Sequence, residues 1–208
     1  MCCVTVLLVD TPSGPARAHV HDVGEPRGHL VLGHGAGGGV TARDLAETAA
    51  LATSEGITVA LVEQPYRVAG RRSPLPAPRL DAAWTAVVDA LSARWGRELP
   101  LVVGGRSSGA RVACRTAGAT GASGVLCLAF PLQPPQGKRP QPRPSRLPEL
   151  DGVTVPTLVV QGERDAFGIP PPSASRTVVL VPGDHSLRAG LEPATPAIRD
   201  WLRRLVTS

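Results

Sequence analysis

A short apolar run that ends in a glycine-flanked pair of serines constrains this chain more than any other stretch. Residues 101–103 are apolar and mostly β-branched, which predicts a buried parallel strand. The segment Gly-Arg-Ser-Ser-Gly at 105–109 leads from this strand into a helix-compatible run that extends to Ala117. A strand, a Gly-x-Ser-x-Gly turn and a helix are the context that a nucleophile elbow requires. A plain glycine-rich turn between a strand and a helix could carry the same five residues, so this motif alone does not distinguish an elbow from an ordinary turn.

The flanking glycines select one of the two serines as the candidate nucleophile. The residues two positions before and two positions after such a serine must be small, because the strand and the helix pass close together there. For Ser107 these residues are Gly105 and Gly109. A nucleophile one position later would require Arg106 to be small. We therefore predict that Ser107 is the nucleophile.

Composition indicates one globular domain that spans residues 1–208. Apolar residues make up 42% of the chain and charged residues 19%, which excludes the disordered class. The sequence has no apolar run of about 20 residues that could cross a membrane and no N-terminal export signal. We therefore expect a cytoplasmic protein without membrane contact.

The charge pattern and the cysteine spacing argue against nucleic acid and a metal ion as partners. The net charge of +5 comes almost entirely from scattered arginines, and only two phenylalanines and one tyrosine could stack on bases. This pattern does not favour nucleic-acid binding. The cysteines (Cys2, Cys3, Cys114 and Cys127) lack metal-ligand spacing, so we expect free thiols, no metal site and no cofactor.

Strands and helices alternate along most of the chain. Predicted strands cover residues 4–9, 16–23, 30–32, 57–62, 101–103, 125–130, 157–160 and 176–181. Predicted helices cover residues 41–55, 80–95, about 108–117 and about 196–206, and surface loops without helix cover 67–78 and 131–150. The first two strands should form a hairpin at a sheet edge. The pattern predicts an α/β fold with a mainly parallel sheet and helices on both faces, and it leaves no room for a separate cap domain.

A second glycine-rich segment, Gly-His-Gly-Ala-Gly-Gly-Gly at 33–39, follows the third predicted strand. It lacks the Gly-Lys-Ser/Thr sequence of a phosphate-binding P-loop. The alternative is an oxyanion-hole loop. In that interpretation the backbone amide of Gly35 or Ala36 acts together with the amide of Ser108. His34 would hold the loop by hydrogen bonds and lie beside the substrate.

An acid and a histidine occur in the corresponding places after later strands. Asp165 and His185 each follow the carboxyl end of a predicted strand, the edge at which open α/β sheets bind ligands. A neighbouring imidazole can take the proton of Ser107, and a carboxylate can orient that imidazole. Asp184 is a competing acid, but the side chains of adjacent residues normally diverge, and Glu163 is a weaker rival. We therefore predict a catalytic triad of Ser107, Asp165 and His185.

Five motifs together resemble the α/β-hydrolases, specifically small dienelactone-hydrolase-like proteins. They lie at 33–38, 105–111, 131–135, 162–168 and 183–186. The resemblance implies an α/β-hydrolase fold, a serine nucleophile in place of the cysteine of true dienelactone hydrolases, and no cofactor. It does not imply a substrate, and some relatives are subunits of chromatin-modifying assemblies. Residues inserted from Gln136 to Arg146 depart from the family pattern.

Two function classes follow from these observations. The first is a serine hydrolase that cleaves a small ester or related acyl substrate through a Ser-His-Asp triad and an acyl-enzyme. The second is a catalytically idle scaffold of the same fold that binds a protein partner. A haloperoxidase-like or transferase activity of the same triad is a third hypothesis.

Cationic side chains in loops that follow strands suggest a preference among substrates. We expect Arg106 to contact the substrate, because it is adjacent to the candidate nucleophile. Further cationic residues near the same edge are Arg67, Arg71, Arg72, Lys138, Arg139, Arg143 and Arg146. An electropositive mouth would steer anionic acyl substrates toward the site. Solvated arginines on unrelated surfaces would explain the same residues equally well.

Overall fold

The computed structural model describes residues 4–134 and 144–207. Its centre is an eight-stranded sheet with the strand order β1-β2-β4-β3-β5-β6-β7-β8. The strands are β1 (Val4–Val9), β2 (Ala16–His21), β3 (Gly28–Gly33), β4 (Ile57–Glu63), β5 (Leu101–Arg106), β6 (Gly124–Leu128), β7 (Thr157–Gly162) and β8 (Arg176–Val181).

The sheet is parallel from β4 to β8, while the hairpin of β1 and β2 is antiparallel and occupies one edge. Every residue of β3, β6 and β7 is buried, which explains why these strands read as continuous apolar runs. In β1, by contrast, Val4, Val6 and Leu8 are exposed on one face. The carboxyl ends of the parallel strands therefore meet at one edge of a buried sheet.

Helices cover both faces of the sheet. They are α1 (Arg43–Ser54), α2 (Pro65–Val68), α3 (Ala77–Trp95), α4 (Ser108–Thr120), α5 (Leu147–Asp151) and α6 (Thr195–Val206). One core lies under α3 and α4 and includes the fully buried Trp84. The other lies under α1 and α6 and includes Leu45 and Ile198. None of the helices in the described ranges is long and apolar enough to span a bilayer.

The predicted elements are present with shifted ends. Strand β2 ends at His21, two residues before the predicted end, and α3 begins three residues earlier than predicted. The predictions of helix-free loops were wrong in two places. The short helix α2 overlaps the start of the loop at 67–78, and the short helix α5 overlaps the end of the loop at 131–150. Both have proline in the first turn, where the missing N–H would have no partner in the helix.

The thiols on α4 and β6 are buried and free. Cys114 Sγ lies 3.5 Å from Cys127 Sγ between helix and sheet. The hydrogen bond with the thiol of Cys127, together with burial, raises the pKa of Cys114 well above its ordinary value. Cys2 and Cys3 lie outside the described residues, as do residues 135–143 of the proline-rich loop.

Candidate active site

Ser107 occupies a strained turn between β5 and α4. Its backbone has φ 52° and ψ −107°, a conformation that side chains other than glycine rarely adopt. The turn is held by its amide, which donates a hydrogen bond of 2.9 Å to the carbonyl of Leu128 on β6. Helix α4 begins at the next residue. The side chain of Ser107 therefore projects at the carboxyl edge of the sheet, beside the first turn of a helix.

The two glycines that flank this turn lie against the end of β3. A Cβ atom at Gly105 would lie 2.4 Å from the carbonyl oxygen of Gly33, and one at Gly109 would lie 2.3 Å from it. Both distances are much shorter than a van der Waals contact, so a side chain at either position would displace β3. The requirement for small residues, from which the register of the serine was predicted, is thus a physical property of this turn.

Side chains from three distant segments form a chain of hydrogen bonds at this edge. The hydroxyl of Ser107 lies 2.9 Å from Nε2 of His185. Nδ1 of His185 lies 2.8 Å from Oδ2 of Asp165. With the proton on Nδ1, the imidazole donates to the carboxylate and accepts from the hydroxyl. His185 is partly exposed and packs its ring 4.3 Å from that of Phe167, while the side chain of Asp165 is fully buried.

The carboxylate of Asp165 is surrounded by donors. Its Oδ1 accepts a hydrogen bond of 2.8 Å from the amide of Phe167, and its Oδ2 accepts one of 2.7 Å from Nε2 of Gln161. The same Gln161 nitrogen also lies within hydrogen-bond distance of the carbonyls of Phe130 and Gly168. These donors offset the cost of burying a carboxylate. Sequence reasoning missed Gln161, although a polar residue near the end of a fully buried strand is the signal that could have found it.

The two rival acids do not contact the imidazole. The side chain of Asp184 is exposed and accepts a hydrogen bond of 2.9 Å from the amide of Ser186. The contacts with Ser186 lower the pKa of Asp184 below its ordinary value. Glu163 is also exposed. Of the three acids considered from the sequence, Asp165 is the one that lies against His185.

His34 holds the glycine loop, which we define as residues 34–39. Its Nε2 accepts a hydrogen bond of 3.1 Å from the amide of Gln64, and its Nδ1 donates one of 2.8 Å to the carbonyl of Gly35. The side chain is buried, and burial lowers its pKa below the ordinary value of 6.5. Both nitrogens are occupied by backbone, so the expectation that His34 contacts the substrate needs correction. The loop-holding role is the one that these hydrogen bonds support.

The glycine loop lies beside the serine. A Cβ atom built on Gly35 would lie 3.6 Å from Cβ of Ser107, which places this buried glycine beside the candidate nucleophile. Within the described part of the chain, the amides of Gly35 and Ala36 donate no hydrogen bond. The carbonyl of Ala36 accepts a hydrogen bond of 3.0 Å from the hydroxyl of Tyr66, which steadies the loop. The amide of Ser108 belongs to the first turn of α4, where helical donors have no partner in the helix.

Arg106 is held in place by other protein groups. Its Nε lies 2.9 Å from Oδ2 of the buried Asp44, and its Nη2 donates a hydrogen bond of 3.0 Å to the carbonyl of His185. These contacts support a structural role for Arg106, and substrate contact by this side chain stays a prediction. Sequence reasoning missed Asp44, which reads as an ordinary acidic residue at the start of a helix.

The other cationic residues singled out from the sequence are only partly described. Arg71 and Arg72 are exposed, whereas Arg146 donates a hydrogen bond of 3.0 Å to the carbonyl of Pro131. Lys138, Arg139 and Arg143 lie outside the described residues. In residues 4–134 and 144–207, no group of three or more His, Cys, Asp and Glu side chains could hold a metal ion.

Comparison with known proteins identifies the family. Residues 26–192 match the family described as Alpha/beta hydrolase domain. The chain belongs to this alpha/beta hydrolase family. A search of curated protein sequences finds no match to this chain.

Solved structures share the hydrolase fold over nearly the whole chain. XC6422 from Xanthomonas campestris, described as an α/β serine hydrolase without a lid, is 22% identical with a TM-score of 0.76, covering 97% of this chain and 94% of its own. Est1E from Butyrivibrio proteoclasticus, solved with ferulic acid bound, is 16% identical with a TM-score of 0.77, covering 97% and 100%. Dienelactone hydrolase from Anabaena variabilis is 15% identical with a TM-score of 0.77, covering 98% of each chain.

These likenesses confirm the predicted α/β-hydrolase fold without a cap domain and the resemblance to dienelactone-hydrolase-like proteins. At such low identities these likenesses show the fold alone. A fold does not determine its chemistry, which depends on the residues of the site.

Proposed function

We propose that this protein is a serine hydrolase that cleaves a small carboxylic ester through a covalent acyl-enzyme. The observation that carries the proposal is the chain of hydrogen bonds from Ser107 to His185 at 2.9 Å and from His185 to Asp165 at 2.8 Å. A serine hydroxyl is a weak nucleophile until a base takes its proton, and imidazoles titrate near neutral pH. The strained turn at Ser107 supports the same role, because such strain is concentrated at functional sites.

In the acylation step, Ser107 Oγ attacks the ester carbonyl carbon while His185 Nε2 takes the hydroxyl proton. The negative charge that develops on the carbonyl oxygen is stabilised by amides of the glycine loop, from Gly35 or Ala36, and by the amide of Ser108. The imidazolium then gives its proton to the leaving alcohol oxygen as the ester bond breaks. The acyl group remains on Ser107.

In the deacylation step, His185 takes a proton from water, and the resulting hydroxide attacks the acyl carbon. Collapse of the second tetrahedral intermediate releases the acid and returns the proton to Ser107. Asp165 holds the Nδ1–H tautomer and stabilises the imidazolium in both steps. Gln161 and the amide of Phe167 keep that carboxylate in place. No step requires a metal ion or another cofactor.

The reacting atoms are reachable from solvent. The side chain of His185 is 19% exposed, and Ser107 is partly exposed. Est1E, which shares the fold, was solved with ferulic acid, a small aromatic acid, bound to it. This neighbour supports a small-molecule ester as the substrate class that we propose.

Labelling with a fluorophosphonate probe tests this proposal. We expect the wild-type protein to be labelled covalently, the Ser107→Ala variant to lose labelling, and the Ser54→Ala variant to keep it, since Ser54 is exposed at the end of α1. A panel of p-nitrophenyl esters of increasing acyl length would then define the preferred chain. Absence of labelling and of ester hydrolysis in the wild-type protein would instead favour the idle scaffold that binds a protein partner.

A further inference from the structure

The guanidinium of Arg106 contacts three separate segments around Ser107. Its Nη2 donates to the carbonyl of His185 at 3.0 Å, and its Nε lies 2.9 Å from Oδ2 of Asp44. A Cβ atom added to Gly35 would lie 2.9 Å from its Nη1, so the third nitrogen packs against the glycine loop. One side chain thus connects the residue that supplies the base, the start of α1 and the loop that supplies the oxyanion amides.

Both side chains of this ion pair are largely removed from water. The side chain of Asp44 is 3% exposed and that of Arg106 is 18% exposed. Burial raises the pKa of Asp44 above its ordinary value, and the charge of Arg106 opposes that shift. Buried ion pairs stabilise folds poorly because both groups lose water, but they can specify one arrangement of the surrounding chain.

Helix α1 is also tied to the histidine loop, which we define as residues 182–191, by two other residues near its N-terminus. Arg43 donates a hydrogen bond of 3.2 Å to the carbonyl of Arg188, and Glu47 accepts one of 2.8 Å from the amide of Leu191. Because α1 follows the glycine loop in the chain, these contacts fix the two loops relative to each other. Arg106 is the member of this set that reaches His185 itself.

The chemistry of arginine explains why it occupies this position. A guanidinium is planar, and its fork of donors can reach two acceptors in different directions at fixed spacing. A lysine ammonium could pair with the carboxylate of Asp44 or reach the carbonyl of His185. Arg106 is the last residue of β5 and immediately precedes the strained Ser107.

We propose that Arg106, anchored by Asp44, is a positioning residue that holds the histidine loop and the glycine loop in register around Ser107. This inference rests on the proposed hydrolase function. When the contacts of Arg106 are lost, the imidazole and the oxyanion amides no longer keep a common spacing. A displacement of about 1 Å at such a site can lower the rate by about 100-fold.

Three variants separate this role from substrate binding and from general stabilisation. Arg106→Met removes both polar contacts, and Arg106→Lys keeps the charge but not the bridge. Arg111→Met is the matched control, since Arg111 is a partly buried arginine whose carboxylate partner, Glu149, lies on α5 away from Ser107. The measurements are kcat and KM for p-nitrophenyl acetate and for an ester with a carboxylate, together with amide hydrogen exchange of residues 182–191.

We expect kcat to fall by about 10- to 100-fold in both Arg106 variants, with KM changed less than about 2-fold. Exchange in the histidine loop should be faster in both, whereas Arg111→Met should keep the wild-type kcat and loop exchange. The lysine variant keeps the proposal testable if the methionine variant does not fold.

Other outcomes would overturn the proposal. Unchanged kcat with a raised KM for the carboxylated ester would mean that Arg106 binds substrate. Full recovery of kcat by lysine would mean that charge alone is needed. Unchanged loop exchange in both variants would exclude positioning whether or not the protein hydrolyses esters. A wild-type protein that shows no hydrolysis but whose loop exchange depends on Arg106 would refute the proposed function while retaining the structural link.

Discussion

Two histidines lie at the same edge of the sheet and are held in opposite ways. His185 faces a hydroxyl and a carboxylate, is partly exposed, and has one nitrogen available to exchange a proton with Ser107. His34 is buried, and both of its nitrogens are taken by backbone groups of the glycine loop and β4–α2 connection. The comparison teaches that the partners around an imidazole decide its role. An imidazole bonded only to backbone organises the chain, whereas one placed between a carboxylate and a hydroxyl can move protons.

The largest expected effect is the loss of activity on replacing His185. The His185→Ala variant should lower kcat by about 10⁴-fold or more, because Ser107 then has no base. The free energy of unfolding should fall by less than in the His34→Ala variant described next, since the side chain of His185 is 19% exposed and that of His34 is buried. Ester hydrolysis and urea denaturation measure the two quantities. Retention of more than a tenth of the wild-type kcat would remove His185 from the proposed triad.

Replacing His34 should show the reverse pattern. The His34→Ala variant leaves the amide of Gln64 and the carbonyl of Gly35 without partners and opens a cavity in a buried site. We expect the free energy of unfolding to fall by about 2–4 kcal/mol, and kcat to fall by only about 10-fold through the loosened loop. His185→Ala is the matched control in urea denaturation, since it removes the same side chain. Equal stability losses in the two variants would contradict the contrast.

Acid should destabilise the folded protein through His34. Burial lowers the pKa of His34 below 6.5 in the folded protein, and it lowers that of His29 as well. The unfolded chain therefore binds protons first as the pH falls, and stability is lost from about pH 6.5 downward until the folded-state pKa is reached. Above that range these groups contribute no pH dependence.

Urea denaturation at pH 7.5, 6.5 and 5.5 measures this effect. The His34→Gln variant should lose less stability than the wild-type protein over this range, because it lacks one of the groups that resist protonation. Parallel curves for the two proteins would show that His34 does not carry the acid sensitivity.

The smallest expected effect concerns Asp184, the neighbour of the proposed base. Because its carboxylate is exposed and bonded to Ser186, the Asp184→Asn variant should change kcat by less than about 2-fold. The Asp165→Asn variant, measured in parallel, should lower kcat by about 10⁴-fold because it favours the wrong tautomer of the imidazole. A large loss in the Asp184 variant would reopen the choice of acid.

Most of the sheet could be predicted from the sequence because its central strands are buried on both faces and therefore mainly apolar. The short helices α2 and α5 could not, since each is a single turn with no hydrophobic period and is formed by contacts with the core. The sequence predicted that His34 holds the glycine loop, but it also placed His34 beside the substrate, whereas the structure buries this side chain among backbone groups. The partners of Arg106 were beyond the sequence, because a side chain that follows a strand can point toward ligand or toward protein.

The sequence by itself determined the register of Ser107, the buried strands and the chain order of Ser107, Asp165 and His185. These follow from local steric demands and from the edge at which parallel strands end. Only the tertiary structure decided that Gln161 supports Asp165 and that Asp44 neutralises Arg106. Those partners depend on how separate segments pack in three dimensions, and side-chain direction at that edge is set by contacts between residues far apart in the chain.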